Sequence, residues 1–234
     1  MAAKLMQAVE YSSYGGDASG FKHVEVPIPT PKTDEVLIKL EATSINPVDW
    51  KIQKGLLRPI LLPRKFPHIP CGVGLYAVQL AKLGNNHVTA TCGARNLEFV
   101  KGLGADEVLD YKTPEGASLK SPSGKKYDAV IHCTIGIPWS TFEPNLSEKG
   151  IVVDLTPVLS SIWTFALTKV TFSKKRMVPF VVTVKREGLE HLAQLVKDGK
   201  LKTIIDSKFP LSKAEDAWAK SIDGHATGKI IVEP

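Results

Sequence analysis

A short glycine-rich turn carries the clearest chemical signal in this chain. Three consecutive residues form it: Gly72, Val73 and Gly74. Glycines in such a turn let a pyrophosphate reach the bare backbone, and the N-terminus of the following helix carries a partial positive charge. The apolar residues of 75–83 recur at three and four residue steps and predict that helix, with Gly84 at its end. A β-branched run then predicts a strand over residues 88–92, an order typical of a dinucleotide-binding fold.

The segment before this turn does not contain the strand that would position it. Four prolines interrupt it: Pro59, Pro63, Pro67 and Pro70. Because proline donates no backbone hydrogen bond, this segment is not a central strand. In a dinucleotide-binding fold, the glycine turn follows a buried strand that positions the helix N-terminus. The sequence therefore predicts the turn and its helix without their first strand.

The residues after the second strand of such a fold indicate which dinucleotide binds. A site for NAD carries an acidic residue there, roughly twenty residues past the glycine turn, to bind the ribose 2′-hydroxyl. Residues 91–96 read Thr-Cys-Gly-Ala-Arg-Asn, with no carboxylate and one guanidinium, that of Arg95. A guanidinium can bind a phosphate through two hydrogen bonds, so Arg95 favours the 2′-phosphate of NADP(H). The alternative interpretation is a solvated surface arginine.

Helices and strands alternate from residue 72 onward. The pattern predicts a helix over 96–103 and strands over 107–110, 127–133 and 151–155, the last after a turn at Gly150. Residues 112–126 are polar and predict a loop. Strands that alternate with helices at this spacing indicate right-handed crossovers and a parallel sheet.

The two ends of the chain have other patterns. Residues 1–55 are β-rich, with strands predicted over 5–11, 21–26 and 36–43 and a short helix within 44–55. Toward the C-terminus the pattern predicts helices over 187–198 and 213–222, and strands over 203–205 and 229–232. Residues 163–176 interleave aromatic and basic side chains. That stretch either packs between domains, which we favour, or lies on an anionic membrane surface.

Composition narrows the classes of function. The 234 residues carry a net charge of +6, which suits a phosphate-bearing ligand or an anionic surface and equally an ordinary basic surface. The three cysteines lie far apart and no cluster has metal-ligand spacing, so we expect no metal. An odd cysteine count favours a reducing compartment, and no apolar run is long enough to span a bilayer. We expect no nucleic-acid partner.

Three motifs carry a resemblance to a known family. They are residues 46–55, the Gly-Val-Gly turn with residues 76–82, and residues 104–111. Together they resemble the quinone oxidoreductases, the zinc-free branch of the medium-chain dehydrogenase/reductases, and the similarity extends along nearly the whole chain. The resemblance implies a GroES-like β-barrel domain, a Rossmann domain and NADPH-dependent reduction of activated double bonds. It also implies a peripheral location at the chloroplast envelope; without it we would expect the cytoplasm.

The chain departs from this family at one place. Family members continue after the motif at residues 66–70 through the rest of the barrel, whereas here Cys71 joins directly to Gly72. By comparison, about ninety residues are absent. We therefore predict an α/β fold with a Rossmann-like parallel sheet lacking its first strand, plus an incomplete GroES-like β-barrel domain. Residues 1–70 and about 203–234 would form the partial barrel domain, and residues 71–202 the NADP-binding domain.

The resemblance also assigns roles to individual residues. Asn46 would line the nicotinamide and substrate cleft, together with Lys51, which stands where many relatives carry a tyrosine. Tyr111 would flank the adenosine ribose, Cys92 would belong to the cofactor site after the second strand, and Thr134 would face the nicotinamide. The residues alone leave alternatives: an Asn-Pro turn, a surface lysine and an aromatic side chain packed at a strand end.

Two further polar residues stand on predicted strands. His132 is typical of a core histidine. Asp154, at the end of the next strand, either caps a turn or contacts a ligand.

The predicted reaction is the reduction of a quinone or an α,β-unsaturated carbonyl by hydride from NADPH. Hydrogen bonds would polarise the carbonyl and solvent would supply the proton, without a metal. We expect the missing strand to impair this activity. The alternative is a non-catalytic remnant that binds a membrane surface or a partner, with its sheet completed by another chain, as in a homodimer.

Overall fold

The computed structural model describes residues 4–55, 73–134, 136–157, 159–180, 183 and 185–234. The chain divides into two compact units, one comprising Met1–Gly72 and Thr203–Pro234 and the other Val73–Lys202. No helix among the described residues is long and apolar enough to cross a membrane. The predictions made for Gly72 and for the proline-rich segment before it lie outside the described residues.

The described residues form ten strands and eight α-helices. The strands are β1 (Leu5–Tyr11), β2 (Phe21–Pro27), β3 (Thr43–Ile45), β4 (Thr89–Cys92), β5 (Glu107–Asp110), β6 (Tyr127–His132), β7 (Leu146–Asp154), β8 (Arg176–Pro179), β9 (Ile205–Pro210) and β10 (Lys229–Glu233). The helices are α1 (Pro47–Gln53), α2 (Val73–Leu83), α3 (Leu97–Gly102), α4 (Pro114–Ala117), α5 (Trp139–Phe142), α6 (Leu159–Val170), α7 (Arg186–Lys197) and α8 (Ala214–Asp223). The strands predicted at 5–11 and 107–110 are confirmed to the residue.

The C-terminal residues complete the core of the first unit. Strand β10 lies between β3, to which it is antiparallel, and β9, to which it is parallel, while β1 and β2 form a separate antiparallel pair. Helix α8 contributes the buried Ala217 and Trp218 to a core that also contains Ile230. The indole Nε1 of Trp218 donates a hydrogen bond of 2.9 Å to Oε1 of the fully buried Gln53, which joins α8 to the end of α1.

The strand predicted over residues 36–43 is wrong. Only its last residue, Thr43, lies in a strand, and the apolar side chains before it face solvent, with Val36 81% exposed and Ile38 70% exposed. Alternating apolar residues form a strand only where a neighbouring strand accepts and donates the ladder hydrogen bonds. No described strand pairs with residues 36–40.

The parallel sheet of the second unit is divided in two. Strands β4 and β5 form one parallel pair, and β6, β7 and β8 form a second parallel sheet in that order. In a doubly wound sheet of order 3-2-1-4-5-6, the first strand lies between the second and the fourth. Here β4 and β5 take the second and third places and β6 to β8 take the last three. Among the described residues no strand joins β4 to β6, as a Rossmann-like sheet without its first strand requires.

The division of the sheet leaves side chains of strand β6 exposed. The sequence predicts a buried strand, yet Asp128, Ala129 and Ile131 are exposed, the last by 48%. Strand β6 has one described neighbour, β7, and its other edge has none. The prediction of a strand is confirmed and the prediction of its burial is wrong.

Three local features also differ from prediction. Gly150 does not form a turn but lies inside β7, where a Cβ atom would come within 2.7 Å of the Tyr127 carbonyl oxygen. Glycine there lets β6 and β7 approach each other. After α2 the left-handed residue is Asn85, with φ of 57°, rather than Gly84. The loop predicted over 112–126 contains the short helix α4, with Thr113 as its N-cap.

Candidate functional site

The end of β4 and the end of β5 form one half of the candidate site. Cys92 and Asp110 are register partners, and the backbone N–H of Tyr111 donates a 3.1 Å hydrogen bond to the Cys92 carbonyl. A Cβ atom on Gly93 would lie 3.5 Å from Cε1 and from the hydroxyl oxygen of Tyr111, so the aromatic ring lines a bare stretch of backbone. Arg95 follows in a turn of 3₁₀ helix over Ala94–Asn96. The structure thus brings together Cys92 and Tyr111, as the cofactor prediction requires.

This half fits an adenosine 2′-phosphate. Residues 91–96 contain no carboxylate that would repel a phosphate, the Tyr111 side chain is 53% exposed, and Gly93 leaves backbone uncovered beside it. A guanidinium in the adjoining turn supplies the donor geometry that a phosphate needs. The chemistry of these groups matches NADP(H) better than NAD.

The thiols at the strand ends do not suit nucleophilic chemistry. Burial raises the pKa of the Cys92 thiol, and the Asp110 carboxylate raises it further. Burial likewise raises the pKa of the Cys133 thiol. A neutral thiol is a poor nucleophile and a poor metal ligand. Within the described residues no group of three His, Cys, Asp or Glu side chains could hold a metal ion.

Helix α2 is held firmly at its middle and at its C-terminal end. The buried Gln79 side chain donates to the Lys202 carbonyl at 3.1 Å and accepts from the Lys202 N–H at 2.8 Å. The Lys82 ammonium contacts Asp106 at 2.9 Å, and this bond together with one from the Val88 N–H lowers the pKa of Asp106 to about 2.

The N-terminal end of α2 carries the described part of the glycine turn. The helix begins at Val73, and no atom lies within 4 Å of the position of a Cβ atom on Gly74. Backbone without side chains at a helix N-terminus is compatible with a bound pyrophosphate. Within the described residues, no strand precedes this helix in its unit.

The ends of β6 and β7 form the other half of the candidate site. Thr134 is exposed beyond β6, and its carbonyl accepts a hydrogen bond from the Thr156 hydroxyl. Beneath it, Nδ1 of His132 lies 3.1 Å from Oδ1 of Asp154, and both residues are buried. Oδ1 of Asp154 also accepts the Thr156 N–H at 3.1 Å.

Sequence reasoning missed the pairing of His132 with Asp154. The sequence predicts a core histidine at 132 and a turn cap or ligand contact at 154, and the structure shows the histidine paired with a turn-capping carboxylate. The available signal is their position, since each lies one residue before the end of one of two consecutive predicted parallel strands. Such ends meet at the same edge of a sheet.

At the opposite edge, Glu107 links β4 and β5 to the segment that leads into β6. Its carboxylate accepts hydrogen bonds from the hydroxyls of Thr89 at 2.7 Å and Ser121 at 2.6 Å, and from the Ser123 N–H at 3.0 Å. Burial by itself raises the pKa of Glu107, but the hydrogen bonds from the two serines and the threonine outweigh burial and lower it to about 2. This cluster is a polar connection between the two partial sheets.

In the first unit Asn46 is buried and engaged on both sides of its amide. The Lys229 ammonium donates to its Oδ1 at 2.6 Å, and its Nδ2 donates to the Ser44 carbonyl at 3.0 Å. Its backbone N–H donates to Oδ2 of Asp49 at 2.7 Å, which stabilises the first turn of α1. These hydrogen bonds fix the turn that leads into α1 and the orientation of the Asn46 amide.

Lys51 lies on α1, beside an aromatic ring. Its ammonium is 5.7 Å from the centroid of the Trp50 ring, and the Lys54 ammonium lies 5.4 Å from the same centroid. Each ammonium is weakly attracted to the face of the indole, and the two like charges repel each other.

Comparison with known proteins gives consistent matches. The family model described as zinc-binding dehydrogenase matches residues 103–232. The chloroplast envelope quinone oxidoreductase homolog of Arabidopsis thaliana is 52% identical over 330 aligned positions, covering 100% of both chains. The NADPH-dependent alkenal/one oxidoreductase, chloroplastic, of the same plant is 34% identical over 70% of this chain and 38% of its own length. The quinone oxidoreductase structure from Coxiella burnetii superposes with a TM-score of 0.83 at 22% identity, covering 99% of this chain and 100% of that one.

The first of these alignments also bears on the internal deletion. It spans 330 positions, of which this chain supplies 234, so at least 96 positions have no residue here. That number agrees with the gap that the sequence predicts.

Proposed function

Because this chain belongs to the quinone oxidoreductase family of the medium-chain dehydrogenase/reductases, we propose that it reduces quinones or α,β-unsaturated carbonyls with NADPH, and does so weakly. The names of two relatives, a quinone oxidoreductase homolog and an NADPH-dependent alkenal/one oxidoreductase, support this substrate class and cofactor. The absence of a carboxylate after β4 supports NADPH over NADH. We further propose the chloroplast as its location, because both relatives carry chloroplast names.

The unit Val73–Lys202 is the proposed NADP-binding domain, and the other unit the partial GroES-like catalytic domain. Arg95 would hold the 2′-phosphate, Cys92 and Tyr111 would line the ribose, and the first turn of α2, Val73 and Gly74, would bind the pyrophosphate. Thr134 would contact the nicotinamide end. When bound, NADPH supplies the hydride that adds to the β-carbon of the enone.

The first unit would orient the substrate. Asn46 is the proposed contact to the carbonyl, with its amide held by Lys229 and Ser44. Lys51, on α1 and five residues after Asn46, would supply positive charge near the developing enolate. Solvent supplies the final proton.

The division of the parallel sheet is the observation that carries the proposed impairment. The two halves of the candidate site stand on separate sheets, β4–β5 and β6–β7–β8. A dinucleotide in this fold binds across the carboxyl ends on both sides of the first strand. Loss of that strand also exposes apolar flanks of its neighbours, which costs several kcal/mol against a total stability of about 5–15 kcal/mol.

Calorimetric titration with NADPH tests the proposal, with the Arabidopsis envelope relative as the uninterrupted reference. We expect this chain to bind NADPH at least tenfold more weakly than the reference, and to oxidise it slowly in the presence of a short-chain quinone or an alkenal. An equal dissociation constant and equal turnover would contradict the impairment. If millimolar NADPH produced no heat of binding and was not oxidised, the proposed oxidoreductase activity would be contradicted.

A second candidate is a non-catalytic remnant that binds a membrane surface or a partner. The exposed edge of β6 favours it, since Ile131 is 48% exposed there and no described strand covers it. A homodimer that pairs this edge would be one form of it. Full turnover by a monomer would rule this candidate out.

A further inference from the structure

Helix α6 is amphipathic, but it buries polar side chains and exposes apolar ones. The side chains that it buries include the polar Ser161 and Thr168, and the Thr168 hydroxyl is satisfied by the Thr164 carbonyl at 2.9 Å. Its apolar side chains face outward instead. We call the face opposite Ser161 and Thr168 the α6 stripe. It consists of Leu159, Ile162, Trp163, Ala166, Leu167 and Val170. At 100° per residue these six positions fall within one face, on the side away from Ser161 and Thr168.

The α6 stripe is solvent-exposed along its whole length. Trp163 is 66% exposed and Val170 is 73% exposed. Phe172, in the turn that follows the helix, is 92% exposed. A continuous row of exposed apolar side chains along a helix of about 18 Å marks an interaction surface rather than scattered surface residues.

The segment of chain that contains this stripe carries charges of one sign. Residues 155–186 contain six lysines and arginines and no aspartate or glutamate. Since the whole chain carries 30 basic and 24 acidic residues, this segment accounts for its entire net charge of +6. Six basic side chains make up the set: Lys169, Lys174, Lys175, Arg176, Lys185 and Arg186.

Some of these basic groups have local partners. Lys174 pairs with the exposed Glu148, and Arg186 pairs with Glu190 at 2.7 Å. The Lys175 ammonium donates to the Glu143 carbonyl at 2.8 Å. Among the described residues, no carboxylate lies within salt-bridge distance of Lys169 or Arg176, and Lys169 lies 5.8 Å from the Phe165 ring at the edge of the stripe.

Helix α7 provides a contrast within the same unit. It also exposes apolar side chains, Leu189 by 54% and Leu192 by 37%. Helix α7 carries Glu187 and Glu190 together with Arg186 and Lys197, so its formal charges cancel. An anionic surface would therefore attract the α6 segment more strongly than this helix.

We propose that the α6 stripe and Phe172 form a docking surface for an anionic lipid bilayer. The helix would lie in the plane of the interface, with Trp163 and Phe172 among the acyl chains and Lys169 and Arg176 at the headgroups. Exposed aromatic and aliphatic side chains flanked by basic residues are the features that bind such an interface. None of its residues is assigned to the NADPH site, so this surface adds to the proposed function.

Cosedimentation of the full chain with vesicles tests this surface. We expect binding to phosphatidylglycerol vesicles to exceed binding to phosphatidylcholine vesicles by at least tenfold. The double variant Trp163→Glu/Leu167→Glu should lose at least tenfold in partition coefficient. The matched control Leu189→Glu/Leu192→Glu on α7 should bind like the parent. Lys169→Gln and Arg176→Gln should each lower the partition coefficient about fivefold. Salt at about 0.5 M should screen these charges and abolish the preference for anionic lipid.

Other results would overturn the proposal. They are equal binding to both lipids, no binding to either, or an equal loss in the α7 control. Sedimentation velocity without lipid tests whether a second copy of this chain, rather than a bilayer, covers the α6 stripe. A parent dimer that the Trp163→Glu/Leu167→Glu variant dissociates would assign the α6 stripe to self-association instead. Circular dichroism of each variant confirms folding, and NADPH titration of the same samples keeps failure of the cofactor site distinct from failure of this surface.

Discussion

His132 and Asp154 lie with Nδ1 and Oδ1 3.1 Å apart, although 22 residues separate them in sequence. They are register partners at the last positions of β6 and β7, and the backbone around them is equally engaged: the Leu155 N–H donates to the His132 carbonyl and the Phe180 N–H to the Asp154 carbonyl. The His132 ring also packs edge-on against Phe142, at 5.1 Å between centroids. This pair therefore stabilises the strand ends that would carry the nicotinamide half of the site.

Replacing Asp154 by alanine should destabilise the fold strongly. The change leaves the buried His132 ring and the Thr156 N–H without their acceptor, and we expect a loss of about 2–4 kcal/mol in the free energy of unfolding. Urea denaturation measures it. Asp128→Ala is the matched control, because that aspartate is exposed on β6 and accepts one hydrogen bond from the described residues, from the Ser147 hydroxyl. A loss from Asp154→Ala no larger than that of the control would contradict the structural role of the pair.

Acid should weaken the link between the two partial sheets. Because the pKa of Glu107 is lowered to about 2 from its ordinary 4.5, the folded state favours the ionised carboxylate. Its contribution to stability is complete above pH 4.5 and is lost as the pH falls toward 2. Asp106, whose pKa is also about 2, adds to the loss in the same range. Thermal melting between pH 6 and pH 2.5 should show it as a falling midpoint.

Ser121→Ala tests whether Glu107 causes this acid sensitivity. The change removes the 2.6 Å hydrogen bond, so the pKa of Glu107 should rise toward its ordinary value. The variant should therefore be less stable at pH 6, and its loss of stability in acid should be smaller and should end at a higher pH. Ser118→Ala is the control, since the Ser118 hydroxyl donates to the Glu115 carbonyl and not to Glu107. Identical pH profiles for the two variants would show that the Glu107 cluster does not set the acid limit.

Gly116 should tolerate no side chain. A Cβ atom there would lie 1.8 Å from the Asp110 carbonyl oxygen and 3.1 Å from the Tyr111 nitrogen, so alanine must push α4 away from the end of β5. We expect a loss of about 3 kcal/mol or more in the free energy of unfolding. Gly102→Ala is the control: no atom lies within 4 Å of its Cβ position, and alanine in that helix should stabilise by about 0.5–1 kcal/mol. Equal effects from the two substitutions would contradict this close approach.

Arg95 should decide the preference between the two nicotinamide cofactors. Arg95→Gln removes the guanidinium proposed to bind the 2′-phosphate, so NADPH binding should weaken about tenfold or more while NADH binding stays the same. Calorimetric titration with both cofactors measures the ratio. Lys101→Gln, an exposed base on the next helix, should change neither by more than about twofold. A parallel fall for NADPH and NADH on Arg95→Gln would assign Arg95 a structural role.

Local patterns in the sequence were enough to predict several elements of this protein. Strand β5 and helix α2 follow from apolar spacing among residues that are near one another in the chain, and the chemistry after β4 follows from which side chains are present there. The prolines before Gly72 and the family motifs also predicted a sheet without its first strand. These inferences hold because periodicity and residue chemistry are local properties.

Tertiary structure decided what depends on distant partners. The residues at 36–40 have the pattern of a strand, but a strand also needs a neighbour for its backbone hydrogen bonds, and no described strand supplies one. Likewise, β6 has the composition of a buried strand and is half exposed because one of its edges has no described neighbour. The pair His132–Asp154 and the Glu107 cluster join residues far apart in sequence, and only the register of parallel strands brings them together.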